Sequence, residues 1–255
     1  GSESMNRYLY ETHVHTSESS VCAHATGAQM ARAYAAGGYT GIIVSDHFYY
    51  GNTVADRSLP WRDWVEQYCL GYEHARAEGE KLGLQVFFAW ESTYQGNDFL
   101  VYGLDKEWLL AHPEIRDASI AEQYALVRAD GGMVIHAHPY RQASYIEKVR
   151  LFPEYVDGVE SINVSNADIK IHCLGHPEYN RMAEDYAREY HLPVTSGSDQ
   201  HLTCMLYGGM VFSRKLTDIH DFIQAVQNRE AVALLNGGDD RQDALSRAVP
   251  IMVDL

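Results

Sequence analysis

The stretch Gly41-Ile42-Ile43-Val44-Ser45-Asp46-His47 decides the reading of this chain. Gly41–Ser45 is a short apolar run of the kind that forms a buried strand, and it ends abruptly in an acid and a histidine. Working outward, Ala25–Ala36 reads as a helix closed by Gly37-Gly38, and Tyr8–His13 as an earlier strand. On the other side, Pro60 opens a long helix. Its apolar residues Trp61, Trp64, Val65, Tyr68, Tyr72 and Ala75 recur three and four apart.

The same alternation runs to the end of the chain. Leu84–Glu91 and Phe99–Gly103 read as strands. Ser119 and Glu122 form a capping box for a helix that runs to Asp130 and is closed by Gly131-Gly132. Met133–His138, Val156–Asn163, Leu192–Ser196 and Gly209–Phe212 read as further strands, with a helix over Pro177–Tyr190. Ile219, Phe222, Ile223 and Val226 mark a last helix, and Ala231–Leu235 a last strand. Strands alternating with helices imply an α/β fold with a parallel sheet covered by helices. About seven such units suit a closed barrel. No GxGxxG follows the first strand, as an open dinucleotide-binding sheet would require.

Polar clusters fall repeatedly at the C-terminal ends of these strands: His13-Val14-His15, Asp46-His47, Glu91, His136-Ala137-His138 and Ser198-Asp199-Gln200-His201. In a parallel barrel those ends share one face, where active sites are built. His13/His15 and Asp199/His201 are i, i+2 pairs, so each can grip a cation from one side of a strand. Imidazole nitrogens and carboxylate oxygens suit zinc, manganese or iron, and Glu91 can bridge two ions. A bound ion brings its water towards a neutral pKa, which points to hydrolysis.

Composition narrows the substrate. The 255 residues carry a formal net charge of −15, which disfavours a long nucleic acid and leaves a small anion as partner. No apolar run of membrane-spanning length is present, and neither is a signal peptide. The scattered Cys22, Cys69, Cys173 and Cys204 form no CxxC, so a reduced, cytoplasmic protein is expected. Oligomeric state is left open. Residues 1–7 read as a tag remnant and lead-in, and residues 8–255 as one domain.

With these motifs assembled, the chain resembles the PHP (polymerase and histidinol phosphatase) superfamily from about Tyr8 to Leu235. The ordered motifs are ETHVHT (11–16), IIVSDH (42–47), WES (90–92), VIHAHPYR (134–141) and TSGSDQH (195–201). The resemblance implies a distorted (β/α)7 barrel of PHP type with two or three divalent metal ions (Zn, Mn or Fe) and hydrolysis of a small phosphomonoester such as histidinol phosphate, a nucleotide or a sugar phosphate. It implies His13, His15, Glu91 and Asp199 around a first metal, Glu91 and His138 on a second, and His47 and His201 on a third. His24, in a CxHA segment, joins that third site, and Asp199, His201 and Glu91 are the catalytic candidates.

The family often carries another histidine between Glu91 and His138. Here that segment reads Gly96–Gly103 without one, so Asp98, His136 or His172 is left to fill the gap. Arg141 is a candidate for holding a substrate phosphate, and Asp46 for orienting a ligand histidine. Tyr49, Tyr50 and Trp61 belong to a segment expected to overhang the site. His74, His112, His176, His191 and His220 fall in helices or loops and are read as solvated or structural. An amidohydrolase-type enzyme cleaving C–N or lactone bonds also begins with HxH, but it commonly needs a mid-barrel lysine that no predicted strand end supplies. A non-catalytic metal-binding module is the remaining reading, and the near-complete ligand set speaks against it.

Overall fold

The computed structural model describes residues 6–142, 146, 148–167, 176–201, 207–237 and 249–250. Strands β1 (Tyr8–Val14), β2 (Gly41–His47), β3 (Gln85–Tyr94), β4 (Asn97–Tyr102), β5 (Met133–Ala137), β6 (Gly158–Asn163) and β7 (Val194–Gly197) are followed by β8 (Gly208–Phe212), β9 (Ala233–Asn236) and β10 (Val249–Pro250). The helices are α1 (Gly27–Ala36), α2 (Trp61–Tyr68), α3 (Leu70–Leu82), α4 (Lys106–Ala111), α5 (Ile120–Ala129), α6 (Val164–Ala167), α7 (Glu178–Glu189) and α8 (Ile219–Gln227).

The strands form one sheet in the order β10-β9-β8-β1-β2-β3-β4-β5-β6-β7, and it curls until it nearly closes. Closure is made where β7 meets β1. Thr12 Oγ1 donates to Ser196 O at 2.7 Å, His15 N to Gln200 O at 2.9 Å, and Gln200 N to His13 O at 3.0 Å. Gly197 is needed at that seam, since a Cβ there would lie 2.6 Å from His13 Cβ. The α/β barrel-like fold is therefore present, with ten strands among the described residues where about seven were expected.

The expected all-parallel arrangement is corrected in two places. β1, β2, β3, β5, β6 and β7 point the same way, but β4 runs antiparallel between β3 and β5, and β8 to β10 are antiparallel to their neighbours. The cause at β4 is the length of its connection. Tyr94 pairs with Asn97, and Gln95 (φ 50°) and Gly96 (φ 87°) make a tight turn with both central residues left-handed. Two residues cannot cross over to a parallel strand. The start of β4 therefore sits on the same face as the C-terminal ends of its neighbours.

Alternation along the strands makes two layers of core. Tyr10, Ile43, Ala89, Leu100 and Ile135 face inwards and pack with Phe212 and with Phe222 and Ile223 of α8. Leu9, Ile42 and Val44 face α1, while Phe88 and Trp90 face Trp64 and Tyr68 of α2. The expected capping box at Ser119 and Glu122 forms, with Glu122 N donating to Ser119 Oγ at 3.1 Å. The helix expected after Pro60 is interrupted at Cys69. Ser19 Oγ donates to Tyr68 O at 2.7 Å and accepts from Gly71 N at 3.4 Å, and this hydroxyl in the backbone ladder separates α2 from α3.

Candidate metal centre

His13 and His15 leave β1 at a bulge. Between Glu11 and Val14 the pairing with β2 slips by one residue, a common device beside active sites. The two rings lie 5.1 Å apart and are fully buried. Register then brings partners from β2 and β3, because His47 pairs directly with Glu91. Asp98 lies one residue into β4, opposite Thr93, and His138 and Asp199 follow β5 and β7. Both of the last two have positive φ (28° and 58°), strained values for non-glycine residues.

Among the described residues these side chains gather into three groups: His13, His15, Glu91 and Asp199; Glu91, Asp98 and His138; and His15, His47 and His201. Within each group the ligand atoms all lie within 4.8 Å of one another. Glu91 has one oxygen on each side. Its Oε1 faces His47 Nδ1 at 3.2 Å and His15 Nε2 at 3.4 Å, while Oε2 faces His13 Nε2 at 3.1 Å and His138 Nε2 at 3.5 Å. Asp199 Oδ1 faces His15 Nε2 at 2.9 Å and His13 Nε2 at 3.3 Å.

These contacts lack the directions of hydrogen bonds. His13 Nε2, His15 Nε2, His47 Nδ1, both Glu91 oxygens and Asp199 Oδ1 are buried with no hydrogen-bond partner in the protein. Each such atom left unsatisfied costs about 1–3 kcal/mol. All of them face a common interior. A buried set of imidazole nitrogens and carboxylate oxygens around a small space fits divalent cations, which would satisfy every one.

Outer contacts hold the donors in place. Glu160 Oε2 lies 2.7 Å from His13 Nδ1, which commits that nitrogen and leaves Nε2 for the centre. A bulge in β6 between Glu160 and Ile162 turns Glu160 and Asn163 to the same side, and Asn163 Nδ2 donates to Glu160 Oε1 at 2.8 Å. Asp46 acts on His15 through Ser20: Ser20 Oγ donates to Asp46 Oδ1 at 2.7 Å and lies 3.3 Å from His15 Nδ1. Glu11 accepts from Ser198 N at 2.8 Å, from Ser198 Oγ and from Tyr34 OH at 2.8 Å, which ties the Asp199 turn to β1. Sequence reasoning missed Glu160 and Glu11. Both are carboxylates inside largely apolar strands, a signal in itself, because a buried charge needs partners.

Electrostatics follow this packing. Burial opposes the charge on His13, but Asp199, Glu160 and Glu91 outweigh it and hold the imidazole well above its usual range. His15 is pushed well below by burial and by His47 and His201. Asp199 stays well below the ordinary carboxylate range despite burial, chiefly through His13 and Arg141. Burial and the charge of Glu91 push Asp98 up to about 7.

The other sequence candidates are placed as follows. His201 is partly exposed at the rim, with Nδ1 2.6 Å from Asp199 O and its ring 4.4 Å from that of His15. His24 is exposed and in none of the three groups, although its backbone N donates to His201 O at 2.9 Å. Arg141, the candidate for a substrate phosphate, is buried beside the centre. Its Nε donates to Asn166 Oδ1 at 2.9 Å, and Nη2 to Asn163 Oδ1 and Asp199 Oδ2, each at 3.0 Å.

Asp98 stands in the gap left by the missing histidine, 3.4 Å from His138 Nε2. His136 does not, because alternation turns it to the outer layer against Phe99, ring centres 4.9 Å apart. Burial there brings it down to about 3. His172 lies outside the described residues, as do Cys173 and Cys204, while Cys22 and Cys69 are free thiols. Of the aromatics expected to overhang the site, Tyr49 is buried against Trp64, Trp61 stacks on Trp64, and Tyr50 is exposed. His74, His112, His176, His191 and His220 are in none of the groups. No helix among the described residues is long and apolar enough to cross a membrane.

Residues 177–231 match the model of the PHP-associated family, PHP_C. No curated protein matches the sequence. Among solved structures, the chain is similar to a two-domain protein from Bacteroides vulgatus ATCC 8482 containing a predicted PHP-like metal-dependent phosphoesterase. The identity is 14%, the TM-score 0.61, and the match covers 91% of this chain and 65% of that one, so this chain spans just under two thirds of that protein. It is also similar to PsfC from Pseudomonas syringae PB-5123 (17% identity, TM-score 0.58, 88% and 90% covered). A third neighbour is an amidohydrolase from Chromobacterium violaceum (14% identity, TM-score 0.51, 76% and 88% covered). The family-model match is confined to residues 177–231, and the solved structures share the fold of this chain.

Proposed function

We propose that this chain is a metal-dependent hydrolase of phosphate esters, acting on a small phosphomonoester with two or three divalent ions, zinc, manganese or iron. The observation that carries the reading is Glu91, whose two buried oxygens face two different sets of imidazoles. When bound, such ions supply Lewis-acid stabilisation of phosphoryl charge and water of lowered pKa.

The protein's own part is to hold and orient. His13, His15, Glu91 and Asp199 hold the first ion, Glu91, Asp98 and His138 the second, and His47 and His201 the third with His15 beside them. Glu160 fixes the His13 tautomer that presents Nε2, and Arg141 anchors the far oxygen of Asp199. His201, held through Nδ1 at the rim, would present Nε2 to the third ion. The net charge of −15 makes the ions the local attraction for an anionic substrate, and it turns away long polyanions.

The test is hydrolysis of a panel of phosphate monoesters, aryl phosphate included. Activity should be abolished by EDTA and restored by Mn²⁺ or Zn²⁺. Absence of turnover across the panel in metal-loaded protein would overturn the reading. The amidohydrolase neighbour supports a second reading, cleavage of a C–N bond on the same centre. A parallel panel of amides and lactones separates the two.

A further inference from the structure

The groups of donors differ in kind. Glu91, Asp98 and His138 offer two carboxylates and one imidazole, whereas His15, His47 and His201 offer imidazoles alone. The β3–β4 hairpin carries the second acid there. β4 enters the sheet from the tight turn at Gln95-Gly96, so Asp98 lies between Thr93 of β3 and Ala137 of β5, one residue before His138. Alternation puts its side chain on the inward face with that of Leu100, while Phe99 turns outwards.

Both positions have buried donors to satisfy. In the oxygen-rich group, Asp98 Oδ2 lies 3.4 Å from His138 Nε2, which is in turn 3.5 Å from Glu91 Oε2. The Thr93 side chain hydrogen-bonds to Asp98 from the neighbouring strand. Glu91 Oε2 is buried with no hydrogen-bond partner in the protein. In the imidazole group, the His15 ring lies 4.3 Å from that of His47 and 4.4 Å from that of His201. His15 Nε2 and His47 Nδ1 are likewise buried without partners. Carboxylate oxygens are hard donors that suit manganese, whereas imidazole nitrogens suit zinc. In absolute terms either kind of site binds zinc more tightly than manganese, so the difference is one of ratio. Two anionic oxygens beside one nitrogen narrow the margin for zinc, and three nitrogens widen it.

We propose that the centre is heterometallic: the Glu91–Asp98–His138 position takes manganese at a Mn/Zn ratio at which the His15–His47–His201 position still holds zinc. The inference rests on the metal-dependent reading above and names the ion that each position favours. Asp98 is the residue that sets the difference. The Glu91 carboxylate cannot do so, because its Oε1 faces His47 Nδ1 at 3.2 Å while its Oε2 faces His138, and its charge adds to both positions. Asp98 belongs to one position alone.

The experiment equilibrates crystals of the protein with zinc and manganese in graded ratios and measures the occupancy of each position from anomalous differences at the two absorption edges. The expected result is half-exchange to manganese at the Glu91–Asp98–His138 position at a Mn/Zn ratio about tenfold lower than at the other position. Asp98→His, which replaces the acid by a nitrogen donor, should close that gap and leave the ratio at the His15–His47–His201 position unchanged. The wild-type ratios decide the matter even if that variant does not fold. Exchange of both positions at the same ratio, exchange of the imidazole position first, metal at only one of the two positions, or a gap that persists in Asp98→His would overturn the proposal. Equal ratios at two occupied positions remove this assignment and leave the metal centre standing. Metal at neither position removes the metal-dependent reading itself.

Discussion

The single contact that most clearly separates a metal centre from a packed polar core is the one between Glu160 and His13. A carboxylate on the far nitrogen fixes which atom of the imidazole faces inwards, and such outer partners typically contribute about 10–100-fold to metal affinity. Glu160→Gln should therefore weaken metal binding by about that factor, measured by competition with a chelator of known affinity. Glu91→Ala, which removes donors from two groups at once, should lower affinity and turnover beyond that range. Unchanged affinity in both variants would reduce the cluster to buried ion pairs.

The candidate donors were legible in the sequence only as a joint pattern, polar residues gathered at the ends of several apolar strands. Their supports were not. The side on which Glu160 emerges depends on a bulge in β6, and strict alternation would have put Glu160 and Asn163 on opposite faces. Arg141 read as a candidate for a substrate phosphate, and only the folded chain places Asn163, Asn166 and Asp199 around it.

Among the elements, the β3–β4 hairpin shows what local pattern conveys and what it hides. Both strands were legible from their apolar residues. Their antiparallel pairing was not, since Gln95-Gly96 lacks the Asn or Asp usual at the first position of such a turn. Gln95→Asn should raise stability by up to about 1 kcal/mol, because asparagine tolerates the left-handed region better. Denaturant unfolding checks it, and a loss of stability would contradict the turn assignment. The break between α2 and α3 was equally hidden, because the hydroxyl that causes it comes from Ser19, far back in the chain.

Helix α8 carries a pH signature. Arg214 makes two 2.7 Å bonds to Asp221 in its first turn and, with the Thr217 backbone N–H, lowers that carboxyl to about 2. A depressed carboxyl contributes stability above its ordinary pKa of 3.8 and loses it as pH falls through about 2. At this exposed site the contribution is at most about 1 kcal/mol. Asp221→Asn should cost that much near neutrality, and the difference should fade between about pH 4 and pH 2 in urea titrations.

On the scale of the whole molecule, closure of the sheet and assembly of the centre are one event. The bonds that join β7 to β1 run through His13, His15 and Gln200, so the seam of the barrel is also the wall of the site. Repeated strand and helix units announced an α/β barrel. The extra antiparallel strands β8 to β10 were not foreseen as reversals, because short apolar runs carry no direction. Ions bound only by the folded state stabilise it. At a hundredfold excess over Kd the gain is about 2.7 kcal/mol, or roughly 5–10 °C for a chain of this size. Chelation should lower the thermal midpoint by that amount, and readdition of metal should restore it.

Anomalous X-ray scattering from crystals of the protein, collected across the manganese, iron and zinc edges, bears most directly on the central claim. The account predicts at least two peaks, one flanked by His13, His15, Glu91 and Asp199 and another by Glu91, Asp98 and His138. A metal-supplemented crystal with no anomalous density there, its imidazoles and carboxylates hydrogen-bonded to each other, would contradict it.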